Sequence, residues 1–241
     1  IPGQKDNRWY SYKDVLDVSA RFANVLTERG VKPGDRVAVQ VPKSVEALML
    51  YLGTVRAGAV FLPLNTAYTA SEVEYFLGDA TPRLFVCDPE KQGSYAPLCD
   101  RLSIQLETLG VWHTHDESAG TLADAGLAAS TEFETVVRDR SDLAAILYTS
   151  GTTGRSKGAM LTHENLLSNA VTLVDYWRFT KNDVLLHALP IFHTHGLFVA
   201  SNVTLAVGSS LIFLPGFNAD SVIEQLPSAT CMMGVPTFYT R

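Results

Sequence analysis

The sequence has few cysteines and no pairing pattern among them. Its 241 residues include three cysteines, Cys87, Cys99 and Cys231, and none of them belongs to a CxxC pair. Widely spaced cysteines in odd number argue against a disulfide framework and against the usual zinc or redox spacings. We therefore expect a reducing, cytoplasmic setting.

An excess of positive charge is also lacking. Lys and Arg together number 19 against 25 Asp and Glu, so the formal charge is -6. A negatively charged chain has no net attraction for phosphodiester polymers or anionic lipid surfaces. We therefore expect no nucleic-acid partner.

Long uninterrupted apolar runs are missing as well. The two most apolar stretches are 47–64, which contains Arg56, and 197–214, which contains Ser201, Asn202 and Ser209. Each stretch is typical of a buried helix followed by a buried strand. We therefore expect no membrane span.

Helical and strand-like segments alternate along most of the chain. Apolar residues recur at spacings of three and four between Ser11 and Gly30, which predicts a helix that ends at the glycine. Strand-like runs lie at 36–41, 59–64, 83–87, 143–148, 184–188, 210–214 and 230–234. Strands separated by helices indicate parallel βαβ units. The sequence thus predicts an α/β fold with mixed, largely parallel sheets flanked by helices. Between 91 and 140 the pattern is weaker and richer in Gly, Ser and Ala, which predicts loops or a sub-domain crossing there.

The most informative segment is 148–158, which reads YTSGTTGRSKG and follows the strand-like run 143–147. Its glycines let backbone N–H groups approach phosphate oxygens, its hydroxyls add donors, and Lys157 adds a positive charge. Polyphosphate is the natural ligand for such a loop. The segment is not a Walker A loop, because Ser156 precedes Lys157 and Gly158 follows it, and it is not a dinucleotide GxGxxG. A plain connector rich in Gly, Ser and Thr is the alternative interpretation.

This segment resembles the signature of adenylate-forming enzymes, in which Ser/Thr-Ser-Gly-Thr-Thr-Gly is followed by a variable residue, Pro, Lys and Gly. The chain departs from that signature at Ser156, where proline is commonest, and we expect a less rigid loop as a result. The resemblance implies a clamp on the β- and γ-phosphates of ATP. Its residues would be Thr149, Ser150, Gly151, Thr152, Thr153, Gly154 and Lys157.

Two further segments resemble the same family. The segment 189–197 reads LPIFHTHGL and is similar to the family's stretch between acyl pocket and adenylate, which implies a catalytic and substrate-binding role for His193 and a substrate role for His195. The alternatives are structural histidines, or a metal-binding HxH pair that lacks a third ligand at motif spacing. We therefore expect no metal held by these side chains. The segment 233–241, which contains Gly234 and Arg241, is similar to the stretch that lines the acyl site.

Within this family, the amino-acid sequence of the chain is most similar to the sequences of malonyl-CoA synthetases. A dicarboxylate leaves one carboxylate in the pocket while the other is activated, and a buried unpaired charge is costly. Arg241 offers a bidentate partner for that carboxylate; an ordinary solvated arginine is the alternative interpretation.

The resemblance implies a ligase that converts malonate, ATP and coenzyme A to malonyl-CoA, AMP and pyrophosphate through a malonyl-adenylate, with Mg²⁺ and with methylmalonate as a second candidate acid. Family members run to about twice this length. We therefore expect residues 1–241 to be an incomplete N-terminal adenylation domain, without the small C-terminal domain and inactive alone. The alternatives are another acyl- or aryl-CoA synthetase, an adenylation domain that loads a carrier protein, or a non-catalytic ATP-binding fragment.

Overall fold

The computed structural model describes residues 8–111, 119–149 and 155–240. The chain divides into two compact units. One is formed by Lys13–His163, and the other by Ile1–Tyr12 together with Glu164–Arg241. Each unit has its own sheet.

The first unit is built on a six-stranded sheet. Its strands lie in the order β4-β3-β1-β2-β5-β6, and every neighbouring pair is parallel except β5 and β6, which are antiparallel. The strands are β1 Arg36–Gln40, β2 Val60–Pro63, β3 Leu84–Cys87, β4 Gln105–Thr108, β5 Leu143–Thr149 and β6 Lys157–Thr162. The helices are α1 Tyr12–Glu28, α2 Val45–Arg56, α3 Ala70–Ala80, α4 Gln92–Leu102 and α5 Thr121–Ala128.

Local signals in the sequence set the ends of these helices. Gly30 has a φ of 78°, the left-handed conformation that ends a helix, just after α1. The Ser44 hydroxyl accepts a hydrogen bond from the Ala47 amide and caps α2. Thr69 and Glu72 form a reciprocal capping box at the start of α3. The capping box fixes where α3 begins.

The second unit has a three-stranded, all-parallel sheet in the order β8-β7-β9. Neighbouring residues of its central strand point to opposite faces. Leu185 packs with Phe179 and Val203 on one face, and Leu186 packs with Leu214 and Val222 on the other. The elements are α6 His163–Trp177, β7 Val184–His187, a π-helix at His195–Ser201, α7 Asn202–Val207, β8 Ser210–Phe213, α8 Ala219–Gln225 and β9 Cys231–Met233. Short 3-10 turns lie at Pro89–Lys91 in the first unit and at Leu226–Ser228 and Pro236–Phe238 in the second.

The predicted fold class is confirmed, since both sheets are largely parallel and flanked by helices. The prediction of loops over 91–140 is wrong where α4, β4 and α5 lie. Helix α4 escaped detection because it contains Pro97 and little apolar periodicity, and β4 because it is a short edge strand with polar Gln105 and Glu107. Within the described part of the chain, none of the helices combines the length and the apolar character needed to cross a bilayer.

Two helical glycines of the first unit provide a test of this packing. A Cβ on Gly53 would lie 2.8 Å from the Ser19 carbonyl oxygen and 2.9 Å from Phe22 Cβ, whereas a Cβ on Gly78 would meet nothing within 4 Å. We expect Gly53→Ala to lower the free energy of unfolding by about 1–3 kcal/mol, because α1 and α2 would be forced apart. Gly78→Ala should raise it by about 0.5–1 kcal/mol through helix propensity.

Urea unfolding followed by circular dichroism measures both effects. Gly78→Ala serves as the matched control, since the chemical change is identical and only the surroundings differ. Equal effects of the two substitutions would contradict the close approach of α1 and α2.

Candidate active site

The glycine-rich loop, residues 149–158, joins the two antiparallel strands at the edge of the first unit's sheet. Thr149 ends β5, Lys157 begins β6, and the two residues face each other as a cross-strand pair. Both are exposed. Ser150, Gly151, Thr152, Thr153 and Gly154, which the sequence predicts as ATP ligands, lie outside the described residues. The structure therefore brings Thr149 and Lys157 together at the base of the loop.

Helix α3 contacts the chain on both sides of that base. The Tyr75 hydroxyl donates a hydrogen bond of 2.9 Å to the Ser156 carbonyl, and the Arg155 guanidinium carbon lies 6.0 Å from the centre of the Tyr75 ring. On the other side, the Tyr148 hydroxyl donates a hydrogen bond of 2.5 Å to Asp79 Oδ2. Both ends of the loop are thus tied to one helix.

The Tyr148 side chain is held by packing as well as by its hydroxyl. Its ring centre lies 4.4 Å from that of Phe76. Burial, together with the hydrogen bond and the charge of Asp79, raises the pKa of Tyr148 well above its ordinary value. Because the phenol stays protonated, it remains a donor to Asp79 at any physiological pH.

In the second unit, the chain after β7 folds back on itself within a few residues. A Cβ on Gly196 would lie only 2.1 Å from the Pro190 carbonyl oxygen, so no larger residue fits without movement of the backbone. Gly196 is the second residue of the π-helix His195–Ser201. Such π-turns occur frequently at functional sites. The close approach fixes the path of residues 190–196, which carry His193 and His195.

A buried histidine at the end of β7 forms a hydrogen bond with this turn. His187, the last residue of β7, is 1% exposed, and its Nε2 lies 2.8 Å from the Gly196 carbonyl oxygen. A carbonyl can only accept, so Nε2 must carry the hydrogen. The Ser201 hydroxyl donates a second hydrogen bond of 2.9 Å to the same oxygen. The start of the π-helix is therefore fixed by two buried donors.

His193 and His195 lie at the outer end of this turn. His193 is exposed, its ring centre is 4.6 Å from that of Phe192, and its carbonyl accepts a hydrogen bond from the Leu197 amide. Partial desolvation lowers the pKa of His193 below its ordinary value. This shift favours the neutral ring, which can donate one hydrogen bond while accepting another. His195 is half-buried.

Gly234 leaves the sheet at the same edge as this turn. His187 at the end of β7 pairs with Met233 at the end of β9 in a parallel register, so the residues that follow both strands emerge side by side. A Cβ on Gly234 would lie 2.9 Å from the Tyr239 hydroxyl oxygen, which shows how tightly the segment after β9 turns. Arg241, the predicted carboxylate partner, lies outside the described residues.

No group of three or more His, Cys, Asp or Glu side chains suited to a metal ion occurs in the part of the chain that the structure describes. His193 and His195 therefore have no described third ligand of these types.

Sequence reasoning missed the residues that support the site. His187 was not assigned a role because a histidine inside a strand-like run belongs to no motif. Ser201 was not assigned one because it is one of a few polar residues in an apolar stretch. Tyr75 and Asp79 were missed because they lie 81 and 69 residues from their partners Ser156 and Tyr148. The spacing of Tyr75 and Asp79, one helical turn apart on α3, is the only signal that was available.

The fold and the glycine-rich loop define an α/β protein of the adenylate-forming type. The chain belongs to the AMP-binding enzyme family, whose model matches residues 3–241. The resemblance predicted from the sequence is therefore confirmed.

Three similar proteins illustrate this relationship. The chain is 34% identical to the mitochondrial malonate-CoA ligase of Mus musculus, over 96% of this chain and 40% of the relative. It is 32% identical to the oxalate-CoA ligase of Arabidopsis thaliana, over 94% of this chain and 44% of the relative. The crystal structure of ATP-bound MatB from Rhodopseudomonas palustris matches with a TM-score of 0.90 and 59% identity, over 95% of this chain and 45% of that one. The chain thus spans less than half the length of these relatives.

The close approach at Gly196 leads to one prediction. We expect Gly196→Ala to destabilise the second unit by about 1–3 kcal/mol, because a methyl group cannot lie 2.1 Å from the Pro190 oxygen. Thermal unfolding of the complete gene product measures this. Gly216→Ala is the control, since a Cβ there would meet nothing within 4 Å. Unchanged unfolding in both variants would contradict the described turn.

The ring of His193 leads to a second prediction, on pH. Its folded pKa should lie below 6.5, because partial desolvation disfavours the imidazolium. The unfolded chain binds this proton near pH 6.5, so the stability contributed by neutral His193 is present above that pH and is lost as the pH falls through the folded pKa. NMR titration of histidine ring protons, assigned with a His193→Gln variant, measures the pKa. A value above 6.5 would contradict the prediction.

Proposed function

We propose that the chain is part of an ATP-dependent malonyl-CoA synthetase. The observation that carries the proposal is the base of the glycine-rich loop, where Thr149 and Lys157 face each other and are open to a ligand. Its support is the 59% identity to MatB, which has been crystallised with ATP bound. A loop of glycines, hydroxyls and one lysine suits the polyphosphate of that nucleotide.

The proposed reaction has two steps. A malonate oxygen attacks the α-phosphorus of ATP, the bond to the β-phosphate oxygen breaks, and pyrophosphate leaves. The thiol sulfur of coenzyme A then attacks the acyl carbon, the thiol proton is lost, and AMP leaves with the electrons of the acyl C–O bond. Lys157 would stabilise the charge on the phosphate oxygens, and positioning supplies most of the remaining effect. Neutral His193 would donate a hydrogen bond to an oxygen of the acid or of the α-phosphate.

Mg²⁺ belongs to this proposal as the ion that accompanies the phosphates of ATP. The described residues contain no cluster that would hold it by protein ligands alone.

The choice of acid depends on the segments that follow β7 and β9. Malonate keeps one ionised carboxylate while the other reacts, and that charge needs a partner in the pocket. Arg241 is the proposed partner, and His195 and Gly234 would line the same small space. Support comes from relatives whose names specify malonate and oxalate, which are both dicarboxylates. Methylmalonate is a second candidate acid.

We place the protein in the cytoplasm as part of the same proposal. Cys87 and Cys99 are free and buried, which suits a reducing compartment. Because the Mus musculus relative is named as mitochondrial, fractionation of cells that carry the tagged complete protein distinguishes the two locations.

Exchange of labelled pyrophosphate into ATP by the complete gene product tests the adenylation step. We expect malonate to support exchange better than methylmalonate, acetate, octanoate or 4-coumarate. Lys157→Ala should lower exchange by about 100-fold with every acid, because a phosphate contact is lost. Arg241→Ala should lower exchange with malonate by about 10- to 100-fold and leave that with acetate unchanged, because a charge-assisted contact is lost.

Matched controls separate these effects from general loss of charge. Lys181 is exposed, and Arg178 forms an exposed ion pair with Asp175. We therefore expect Lys181→Ala and Arg178→Ala to leave pyrophosphate exchange unchanged. Preference for another acid would overturn malonate and the role of Arg241 but not adenylation. Absence of exchange with every acid in a folded, complete protein would favour a non-catalytic ATP-binding protein.

A further inference from the structure

Three side chains of α3 face the two ends of the glycine-rich loop. Tyr75 and Asp79 are one helical turn apart and therefore lie on the same side of the helix, with Phe76 beside them. Phe76 is 2% exposed and belongs to the core, so the helix cannot rotate away from the sheet without loss of packing. We call these three residues the α3 anchor.

The α3 anchor contacts the chain immediately before the loop and immediately before β6. Asp79 accepts the Tyr148 hydroxyl one residue before Thr149, and Phe76 packs against the Tyr148 ring. Tyr75 donates to the Ser156 carbonyl, one residue before Lys157. The two residues at the base of the loop, Thr149 and Lys157, are therefore each held through a direct chain neighbour.

We propose that the α3 anchor positions the glycine-rich loop for ATP, and that the Tyr75 hydrogen bond replaces the restraint that proline would supply at position 156. The proposal rests on the proposed function of the loop. None of the three anchor residues needs to touch the nucleotide. They act by restricting where Thr149 and Lys157 can lie, so that less conformational freedom of these two residues is lost when a ligand binds.

The residue at position 156 explains why such an anchor is useful here. Proline would fix one backbone dihedral at the end of the loop and remove one donor, whereas Ser156 does neither. The Tyr75 hydrogen bond acts on the carbonyl of the same residue. Arg155, whose guanidinium lies over the Tyr75 ring, adds a second contact at the same point.

The test uses Tyr75→Phe and Tyr148→Phe in the complete gene product, with pyrophosphate exchange as the readout. Each variant keeps the ring and removes one hydrogen bond. We expect the KM for ATP to rise about three- to tenfold, with the KM for malonate changed by less than about twofold. Asp79→Asn, made with Tyr148 intact, keeps an acceptor for the Tyr148 hydroxyl and should therefore retain most of the affinity that Tyr148→Phe loses.

Tyr95→Phe is the matched control. Tyr95 donates a buried hydrogen bond of 2.6 Å to Gln40 in the same unit, and it has no hydrogen bond or ring contact with the described loop residues, 149 and 155–158. This variant should lower the melting temperature without changing the KM for ATP. If Tyr95→Phe changes that KM as much as Tyr75→Phe does, the anchor has only a structural role and the proposal is overturned.

Introduction of proline at position 156 gives a further test of the proposal. The double variant Tyr75→Phe, Ser156→Pro should return the KM for ATP to within about twofold of the parent value, since the lost hydrogen bond is replaced by a fixed dihedral. Hydrogen exchange of residues 149–158 without nucleotide should be faster in Tyr75→Phe. If both the hydrogen exchange of these residues and the KM for ATP are unchanged in Tyr75→Phe, the proposal is overturned.

Lys157→Ala separates failure of the anchor from failure of the proposed function. If Lys157→Ala weakens the ATP step and the Tyr75 and Tyr148 variants do not, only the anchor is refuted. If Lys157→Ala leaves the ATP step unchanged, the loop does not bind phosphate and both proposals are refuted.

Discussion

Strand direction is the constraint on which the glycine-rich loop of the first unit and the turn with His193 in the second unit both depend. Two parallel strands run in the same direction, so the segments that follow them emerge at the same edge of the sheet. For the same reason, a tight turn cannot join them. In the second unit this rule places the turn with His193 beside Gly234, because β7 and β9 run in the same direction and His187 pairs with Met233. Two segments that are distant in sequence become neighbours through backbone pairing alone.

The single antiparallel pair has the opposite consequence. Strands β5 and β6 are joined directly, so Thr149 and Lys157 face each other across the base of one short loop. Glycine has more accessible backbone conformations than any other residue, so a glycine-rich sequence gains more than most from restraint of the residues at its two ends. The contacts from α3 to Tyr148 and Ser156 lie at the ends, where they restrict the loop without occupying the positions that would face a ligand.

Much of this fold could be predicted because the central strands are buried on both faces. Strands β2 and β3 are continuous apolar runs and β1 is apolar over 37–39, and Ser44 and Gly30 mark helix ends by their chemistry. Strand β6 escaped prediction because it is largely exposed at the sheet edge and includes Gly158. The hydrogen bond between Tyr75 and Ser156 could not be predicted, since a tyrosine on a helix gives no indication of a partner 81 residues away. Motifs thus identified the loop, and only the structure identified what holds it.

The residues proposed to bind the nucleotide and those proposed to bind the acid are different residues of this chain. The glycine-rich loop lies in the first unit, whereas the segments after β7 and β9 lie in the second. Since ATP is proposed to be common to the reaction whatever the acid, the loop carries no information about the carboxylate. A preference for a dicarboxylate, as proposed, would require a cation near the second carboxyl group, because burial of that group without one would be unfavourable. For this reason, substitution at Lys157 tests the proposed nucleotide contact, and substitution at Arg241 tests the proposed acid contact independently of it.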